Sequence, residues 1–456
     1  MSNSPDVLFL VLDSLRLDRV STYEHDRETT PALSKLATYA TTYENALVPA
    51  PWTLPSHASM FTGTFPSEHG VTNGFSDGMS RLPAERTTLA EHLSEEGYET
   101  AGFSNNPWVG QLSGLDRGFD EFVEWDLEIS RSADDDLHTS RQNRYSQFHS
   151  ILGKAARQPA FLLKRRFFTE SLVDRAKRWL STRAETDEPT FTFLNLMEAH
   201  SPYFPPKRAF EDLGLEPPNP IEPRILNTKL LAYVMGKTDL DEETRQRVME
   251  YYDASARYQD EKVEELLGLL QGEGLFDDTL VVVCSDHGKT LGDYPRDEHP
   301  PHYVRDINLN VPLWIKRPGQ REGEVVDDMF ELTSLFDVVR DGDPESGAYT
   351  RDIAVAEDFV PHAGRTQPDD ITRWRVAADD DHRYVRNDAG EEFLFDRAID
   401  TRQSTPDPEL CDSYAGALSE RVQQFGEDDD EDNTESPADR EIDADVEAQL
   451  KDLGYM

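Results

Sequence analysis

Five short apolar runs, separated by segments with helical patterns, are the feature that most constrains the fold of this 456-residue chain. In chain order the runs are residues 7–12, 98–103, 191–197, 280–284 and 311–315. Their length and their β-branched and aromatic content are typical of buried strands. Strands that alternate with helices predict an α/β fold with a mostly parallel central sheet flanked by helices.

The pattern changes after about residue 341, where short alternating strands and turns replace the longer runs. This change predicts a catalytic α/β domain at residues 1–341, with a helical insertion at 127–188, followed by a small α+β subdomain at 342–425. Residues 426–456 are acidic and polar, so we expect a disordered tail with a short terminal helix. Basic residues gather at 154–183, which indicates either a surface helix pair or a docking patch for an anionic substrate or membrane.

The charge of the chain is strongly unbalanced, because 90 acidic residues face 46 basic ones and the net charge is −44. The acids are spread along the chain, which predicts a halophilic, acidic protein whose solvated surface suits high salt. A site for cations or a basic partner is the alternative interpretation. Either way, nucleic acid is not expected as a partner, because its phosphates would be repelled.

Only two cysteines are present, Cys284 and Cys411, so a disulfide framework is excluded. The first residues lack a basic region, and the run at 7–12 is too short for a signal core or a membrane span. We therefore expect a cytoplasmic protein with no integral membrane segment. The sequence indicates nothing about the oligomeric state.

Polar residues lie just past the ends of three of the predicted strands. Asp13 follows the first, His200 follows the third, and Asp286 with His287 follow the fourth. In open α/β sheets, ligand sites form at the carboxyl ends of strands. Carboxylates and an imidazole are suitable ligands for a divalent cation, although Asp13 taken alone is more typical of a helix cap or a salt bridge.

Thr53 precedes a predicted helix whose first turn tolerates Pro55, and His57 lies one turn later. Thr53 is therefore a helix cap, a nucleophile, or both. With Asp13, Asp286 and His287, its oxygen would complete a metal site that favours its alkoxide. The helix start would attract a tetrahedral anion.

Other side chains are candidates for contacts with that anion. His57, His200 and Lys289 are expected to bind the substrate and take part in catalysis. A further pair, His299 and His302, contains the expected proton donor to the leaving group, and His302 is the one we assign to catalysis.

The ordered motifs resemble those of the sulfatase family, within the alkaline phosphatase superfamily. The similarity covers nearly the whole chain. It is carried by LFLVLDSLRLD (8–18), PWTLPSHASMFTGTFPSEHGV (51–71), GYETAGFSNN (97–106), MEAHSPYFPP (197–206), VVVCSDHGKTLGDY (281–294) and VPLWIKRPG (311–319). The resemblance implies an alkaline phosphatase-like fold, a metal bound by Asp13, Asp286 and His287, and contact of His200 with the transferred group.

Three departures from the family pattern are visible. Thr53 occupies the nucleophile position, where family sulfatases carry a cysteine or serine that is oxidised to formylglycine, and threonine cannot be converted in that way. Ser14 stands where many members have a second metal-binding aspartate. Residues 103–108 (FSNNPW) replace the family's lysine–tryptophan–histidine strand end.

The resemblance and these departures together predict a metal-dependent hydrolase that cleaves a small-molecule or glycan sulfate or phosphate ester through Thr53. One divalent cation, Ca²⁺, Mg²⁺, Mn²⁺ or Zn²⁺, is expected as the cofactor. Two alternatives stay open. One is a phosphodiesterase or phosphotransferase that acts on envelope glycans or lipids, and the other is a non-catalytic relative that binds an anion or a glycan.

Overall fold

The computed structural model describes residues 4–23, 25–72, 80–124, 159–183, 188–234, 237–293, 304–342, 345, 347–359 and 373–422. Most of the insertion predicted at 127–188, the tail predicted at 426–456, and both His299 and His302 lie outside these residues.

The strands of this part of the chain are β1 (Val7–Leu12), β2 (Thr41–Leu47), β3 (Glu99–Ser104), β4 (Glu121–Val123), β5 (Thr190–Leu196), β6 (Leu280–Cys284), β7 (Asn310–Lys316), β8 (Glu324–Val326), β9 (Met329–Glu331), β10 (Thr350–Arg351), β11 (Ala354–Asp358), β12 (Trp374–Ala378), β13 (His382–Asn387), β14 (Glu392–Asp396) and β15 (Thr401–Arg402). The α-helices are α1 (Pro31–Ala37), α2 (Thr53–Thr62), α3 (Pro66–His69), α4 (Leu89–Glu95), α5 (Pro159–Arg183), α6 (Lys207–Asp212), α7 (Glu222–Val234), α8 (Glu242–Glu273), α9 (Asp306–Leu309), α10 (Leu335–Asp341) and α11 (Pro408–Val422). Short 3-10 helices lie at Leu17–Arg19, Ser21–Tyr23 and Leu332–Ser334.

The larger sheet has ten strands in the order β10-β9-β2-β7-β6-β1-β5-β3-β4, with β8 also paired to β2. The neighbours β6, β1, β5 and β3 are parallel, so their carboxyl ends lie at one edge. The strand β7 runs antiparallel to both β6 and β2. The predicted mostly parallel sheet is therefore confirmed.

Helices cover both faces of this sheet, which explains why β1 is apolar throughout. Val7, Phe9 and Val11 belong to a core that they share with residues of α2 and α4. The intervening leucines of β1 belong to a second core, formed with residues of α1, α5 and α8. A strand that is buried on both sides reads as a continuous apolar run. Each fully buried side chain of this kind contributes about 1.5–3 kcal/mol.

The second sheet is antiparallel and has five strands in the order β11-β12-β13-β14-β15. Helix α11 packs against β12, and the Tyr384 and Tyr414 rings stack with centroids 6.0 Å apart. Strands β12, β13 and β14 match the short strands predicted after residue 341, and the sheet adds β11 and β15, which the sequence did not reveal.

An ionic cluster joins the two sheets through Arg383, a residue of β13. Its guanidinium is fully buried, pairs with Asp306 at the start of α9, and donates to Asp400 at 2.6 Å. It also lies 4.6 Å from the centroid of the Phe395 ring. Asp306 accepts a second hydrogen bond from Arg397, at 2.9 Å. The position of the small sheet therefore depends on buried charge as well as on apolar packing.

Replacement of Arg383 tests this linkage. Arg383→Met removes a buried cation from beside Asp306 and Asp400, so we expect the free energy of unfolding to fall by about 3 kcal/mol. The measurement is urea unfolding followed by fluorescence. Arg321→Met is the control, because the Arg321 side chain is 76% exposed and its pair with Asp277 contributes less than about 1 kcal/mol. Equal losses in both variants would contradict the assignment.

Candidate functional site

A tight turn after β1 connects the carboxylates that follow two adjacent strands. Ser14 has a φ of 61°, in the left-handed region that serine seldom adopts. Its N–H donates to Asp286 Oδ1 and its hydroxyl donates to Asp13 Oδ1, both at 3.0 Å. The Tyr252 hydroxyl donates to the Ser14 carbonyl (2.6 Å) and accepts from the Arg16 N–H (2.8 Å). These bonds hold the turn in its unusual conformation.

The chain leaves β6 through Asp286, His287 and Gly288. Ser56 Oγ of helix α2 donates to the Asp286 carbonyl at 2.7 Å, which ties this helix to the strand end. A Cβ atom on Gly288 would lie 1.9 Å from the Ile307 carbonyl oxygen, so only glycine fits there. His287 Nδ1 donates to the Gly288 carbonyl at 2.6 Å. The lone pair of the His287 ring is therefore on Nε2.

Asp13, Asp286 and His287 form a compact group of potential metal ligands. Each offers one ligand atom, these atoms all lie within 4.8 Å of one another, and all three residues are buried. Burial, and next the charge of Asp286, raise the pKa of Asp13 to about 7. Such a raised pKa reflects two buried carboxylates that face each other.

These three residues also carry negative charge and have a carboxylate oxygen that is available to a cation. Among the described residues, Asp286 Oδ2 has no hydrogen-bond partner. Two imidazole nitrogens of that part of the chain lie near it, His57 Nδ1 and His287 Nε2, each at 3.6 Å. Two buried carboxylates balanced by no lysine or arginine of the described residues fit a divalent cation.

Thr53 is the first residue of α2 and lies against this group. Its Oγ1 is 3.3 Å from His287 Nε2, and the residue is 2% exposed. The first N–H groups of a helix have no acceptor within the helix, and its N-terminus favours negative charge. A hydroxyl, a group of potential metal ligands and a helix N-terminus that favours anions therefore lie close together.

His57 lies one turn further along α2 and points into the core. Its Nδ1 donates to the Thr53 carbonyl at 2.9 Å. Its ring contacts Phe61 and Phe193 at centroid distances of 6.5 and 6.2 Å. Burial lowers the pKa of His57, which keeps the ring neutral. These contacts suit a residue that holds the first turn of the helix, and its expected contact with substrate stays a prediction.

His200 and Lys289 come together through Ser201. The Lys289 ammonium donates to Ser201 Oγ at 2.9 Å, and His200 Nδ1 donates to the Ser201 carbonyl at 2.5 Å. This contact joins the loop after β5 to the loop after β6. Their roles toward the substrate stay predictions, as does that of His302, which is outside the described residues.

Asn106, at the end of β3, is a site residue that the sequence did not single out. Its Nδ2 donates to Asp13 Oδ2 at 2.5 Å and reaches Thr53 Oγ1 at 3.5 Å. In the sequence, residues 103–108 were visible only as a departure from the family's strand end. The available signal was an asparagine just beyond a strand that runs parallel to β1 and β6 in the same sheet.

Neither cysteine supplies a thiolate to this group. Cys284 lies within β6 and is fully buried, and burial raises the pKa of its thiol well above the usual range. Cys411 lies in α11 of the small sheet. Both are free. Neither cysteine therefore replaces Thr53 as the residue beside the two carboxylates.

The family described as sulfatase matches residues 5–339 of this chain. The chain belongs to the sulfatase family. An ulvan-active sulfatase of Formosa agariphila is 24% identical to this sulfatase-family hydrolase, over 88% of this chain and 76% of the relative. A choline-sulfatase of Rhizobium meliloti is 26% identical over 71% of this chain and 64% of the relative.

Solved structures share the fold. A phosphonate monoester hydrolase of Agrobacterium radiobacter superposes with a TM-score of 0.68 and 20% identity, over 92% of this chain and 96% of that one. A protein in complex with its substrate D-glucosamine-2-N,6-O-disulfate superposes with a TM-score of 0.67 and 16% identity, over 95% and 100%. Of the helices that the structure describes, none has both the length and the hydropathy that a bilayer crossing requires.

Cation binding can be measured directly on this sulfatase-family protein. After treatment with a chelator, addition of Mn²⁺, Zn²⁺, Mg²⁺ or Ca²⁺ should raise the melting temperature. A ligand at 100 times its Kd stabilises the folded state by about 2.7 kcal/mol. Asp286→Asn should abolish this rise, because it removes one of the two facing carboxylates.

The matched control is Asp260→Asn. Asp260 is also a buried aspartate, and burial raises its pKa to about 7, but its carboxylate accepts from the Ala32 and Leu33 N–H groups at the start of α1. This variant should keep the cation-dependent rise whatever its starting melting temperature. An equal rise in wild type and Asp286→Asn would disprove the metal assignment.

Proposed function

We propose that this protein is a metal-dependent hydrolase that cleaves a sulfate or phosphate ester through a Thr53 nucleophile. The single observation that carries the proposal is the position of Thr53 Oγ1, 3.3 Å from His287 Nε2, beside two buried carboxylates and at a helix start. The helix-cap alternative for Thr53 is wrong, because Trp52 is the N-cap residue of α2 and Thr53 is the first residue inside the helix.

The residues present fit one cation. Asp13, Asp286 and His287 would hold it, with Thr53 Oγ1 as a further oxygen ligand. When bound, a divalent cation lowers the pKa of a coordinated hydroxyl and offsets negative charge on the transferred group. Its identity among Ca²⁺, Mg²⁺, Mn²⁺ and Zn²⁺ is a matter for the measurement above, since the donor set mixes oxygen with one nitrogen.

The reaction has two steps. Thr53 Oγ1 loses its proton and attacks the phosphorus or sulfur atom, and the bond from that atom to the leaving alcohol breaks. The resulting Thr53 ester is then hydrolysed by water, which returns the proton to Oγ1. A threonine ester cannot collapse to an aldehyde, as a formylglycine hydrate can, so water must attack phosphorus or sulfur. This requirement favours phosphate esters.

The remaining predicted residues would act on the substrate. The Lys289 ammonium, held beside His200 by Ser201, would contact the transferred group, and His302 would protonate the leaving alcohol. His57 would keep the first turn of α2 in position through the Thr53 carbonyl. The relatives named for ulvan and for a glucosamine disulfate support a glycan ester as the substrate class.

The nucleophile is tested by turnover of nitrophenyl phosphate, bis-nitrophenyl phosphate and nitrophenyl sulfate with each of the four cations. Thr53→Ala should lower kcat on the order of 10³-fold or more, because loss of a nucleophile removes the covalent step. Thr62→Ala is the control. Thr62 is in the last turn of the same helix and donates to the Ala58 carbonyl at 2.7 Å, so its replacement should leave kcat unchanged.

Two results would count against the proposal. Full activity in Thr53→Ala would remove Thr53 as the nucleophile. Failure of every ester to turn over, combined with saturable binding of a sulfated glycan, would favour the non-catalytic alternative.

We also propose that the acidic composition adapts the protein to high salt. A net charge of −44 destabilises the compact state through self-repulsion, and salt screens this repulsion. The melting temperature should therefore rise with KCl and level off near 1 M, where the Debye length is about 3 Å. Differential scanning calorimetry between 0.05 and 3 M KCl measures this, and a flat or falling trend would refute it.

A further inference from the structure

We propose that the Asn106 side chain positions the Thr53 hydroxyl for reaction and stabilises negative charge on its oxygen. The inference rests on the proposed function of Thr53 and names a further residue of the same site. It comes from the hydrogen bonds around a buried amide.

The orientation of the Asn106 amide is decided by its surroundings. The Trp108 N–H donates to Asn106 Oδ1 at 3.0 Å, and an N–H can donate only to the amide oxygen. The other end of the amide must therefore be the NH₂ group. That group has two hydrogens, and two of the acceptors near it in the described part of the chain are Asp13 Oδ2 at 2.5 Å and Thr53 Oγ1 at 3.5 Å.

The backbone around Asn106 is held as firmly as its side chain. The Asn106 N–H donates to Ser104 Oγ, and that hydroxyl donates to the Asn106 carbonyl, both at 3.1 Å. Ser104 is the last residue of β3 and is aligned with Asn195 of β5. Asn106 itself is 1% exposed. A group fixed in this way loses little freedom when it binds a reacting oxygen.

The amide constrains the direction of the Thr53 proton. A hydroxyl has one hydrogen and two lone pairs. When Thr53 Oγ1 accepts from Asn106, its own hydrogen must point away from the amide, and His287 Nε2, 3.3 Å from Oγ1, keeps its lone pair for the cation. The hydrogen of Thr53 Oγ1 and the lone pair that accepts from Asn106 therefore point in different directions before the substrate binds.

The same amide would act in both chemical steps. As the Oγ1–H bond breaks, negative charge grows on Oγ1, and a hydrogen bond from a fixed N–H becomes stronger. When water later displaces Thr53 from phosphorus or sulfur, the Oγ1 bond to that atom breaks and the charge returns to Oγ1. The Asn106 N–H would stabilise this oxygen as a leaving group until it regains its proton.

A neutral donor is the residue type that suits this position. A lysine or arginine here would pair with Asp13 and compete with a cation for the carboxylate. An aspartate here would repel Asp13. An amide donates to Asp13 and Thr53 without changing the charge of the group.

Two variants test the inference, with kcat measured at saturating cation and Mn²⁺ affinity measured by calorimetry. Asn106→Ala and Asn106→Asp should each lower kcat about 10²–10³-fold, as expected for loss of a donor to a developing oxyanion. Both the initial burst of nitrophenol and the steady rate should fall. Asn106→Asp should bind Mn²⁺ more than about tenfold tighter than wild type, because a third carboxylate joins the group.

Asn105→Ala is the matched control. Asn105 is the preceding residue of the same turn and is also buried, but its Nδ2 donates to Thr169 Oγ1 (3.1 Å) and Glu198 Oε1 (3.4 Å). Its replacement should leave kcat unchanged, which we take as a change of less than about threefold. Melting temperatures of all variants show whether each is folded. If Asn106→Asp does not fold, the kcat of Asn106→Ala tests the inference by itself.

The outcomes separate this inference from the proposed function. If Asn106→Ala keeps its kcat while Thr53→Ala loses it, Asn106 has no role and the proposed function stands. If Thr53→Ala keeps its kcat, both fail. If Asn106→Asp loses turnover and Mn²⁺ affinity together, or Asn105→Ala matches Asn106→Ala in its loss of kcat, the residue is only structural. Lower turnover with tighter Mn²⁺ binding supports the positioning role.

Discussion

The close approach of two buried carboxylates, Asp13 and Asp286, is the constraint on which the rest of the site depends. Removing a carboxylate from water costs several kcal/mol, and a second one beside it adds repulsion. The fold meets this cost because β1 and β6 are adjacent, parallel and completely buried, so their ends cannot move apart. The Ser14 turn then bonds to both carboxylates. A stable core of continuous apolar strands is therefore a requirement of the site as well as of the fold.

Helix α2 brings the Thr53 hydroxyl, the proposed nucleophile, to this edge of the sheet. Ser56 bonds to the Asp286 carbonyl, and His57 bonds back to the Thr53 carbonyl, so the first turn is attached both to the sheet and to itself. Apolar residues of the same helix, such as Leu54 and Met60, belong to the core on that face of the sheet. The position of the Thr53 hydroxyl consequently follows from the packing of the whole helix, and small changes in that packing would move this hydroxyl.

The sequence predicted what depends on local pattern. Apolar runs revealed β1, β5 and β6, and parallel pairing then placed Asp13 and Asp286 together, because parallel strands end at a common edge. Strand β2 escaped notice because Glu44 and Asn45 interrupt its pattern, at a point where the pairing with β7 shifts register. Asn106 escaped because its role is decided by the Trp108 N–H and by two acceptors that lie 53 and 93 residues away in the chain. Long-range contacts of that kind leave no local pattern.

The net negative charge of the chain repels an anionic ester, whereas the proposed reaction requires such an ester to bind. A net charge of −44 opposes the approach of any anionic ester over long distances. Ions shorten the range of this repulsion to roughly 8 Å at physiological ionic strength and about 3 Å at 1 M. Under the proposed function, the groups at Thr53 that an ester would meet at short range are the start of α2 and the neutral Asn106 amide. A chain this acidic can therefore act on an anion only where its fold gathers such donors, and the carboxyl edge of β1, β3, β5 and β6 is where the described residues gather them.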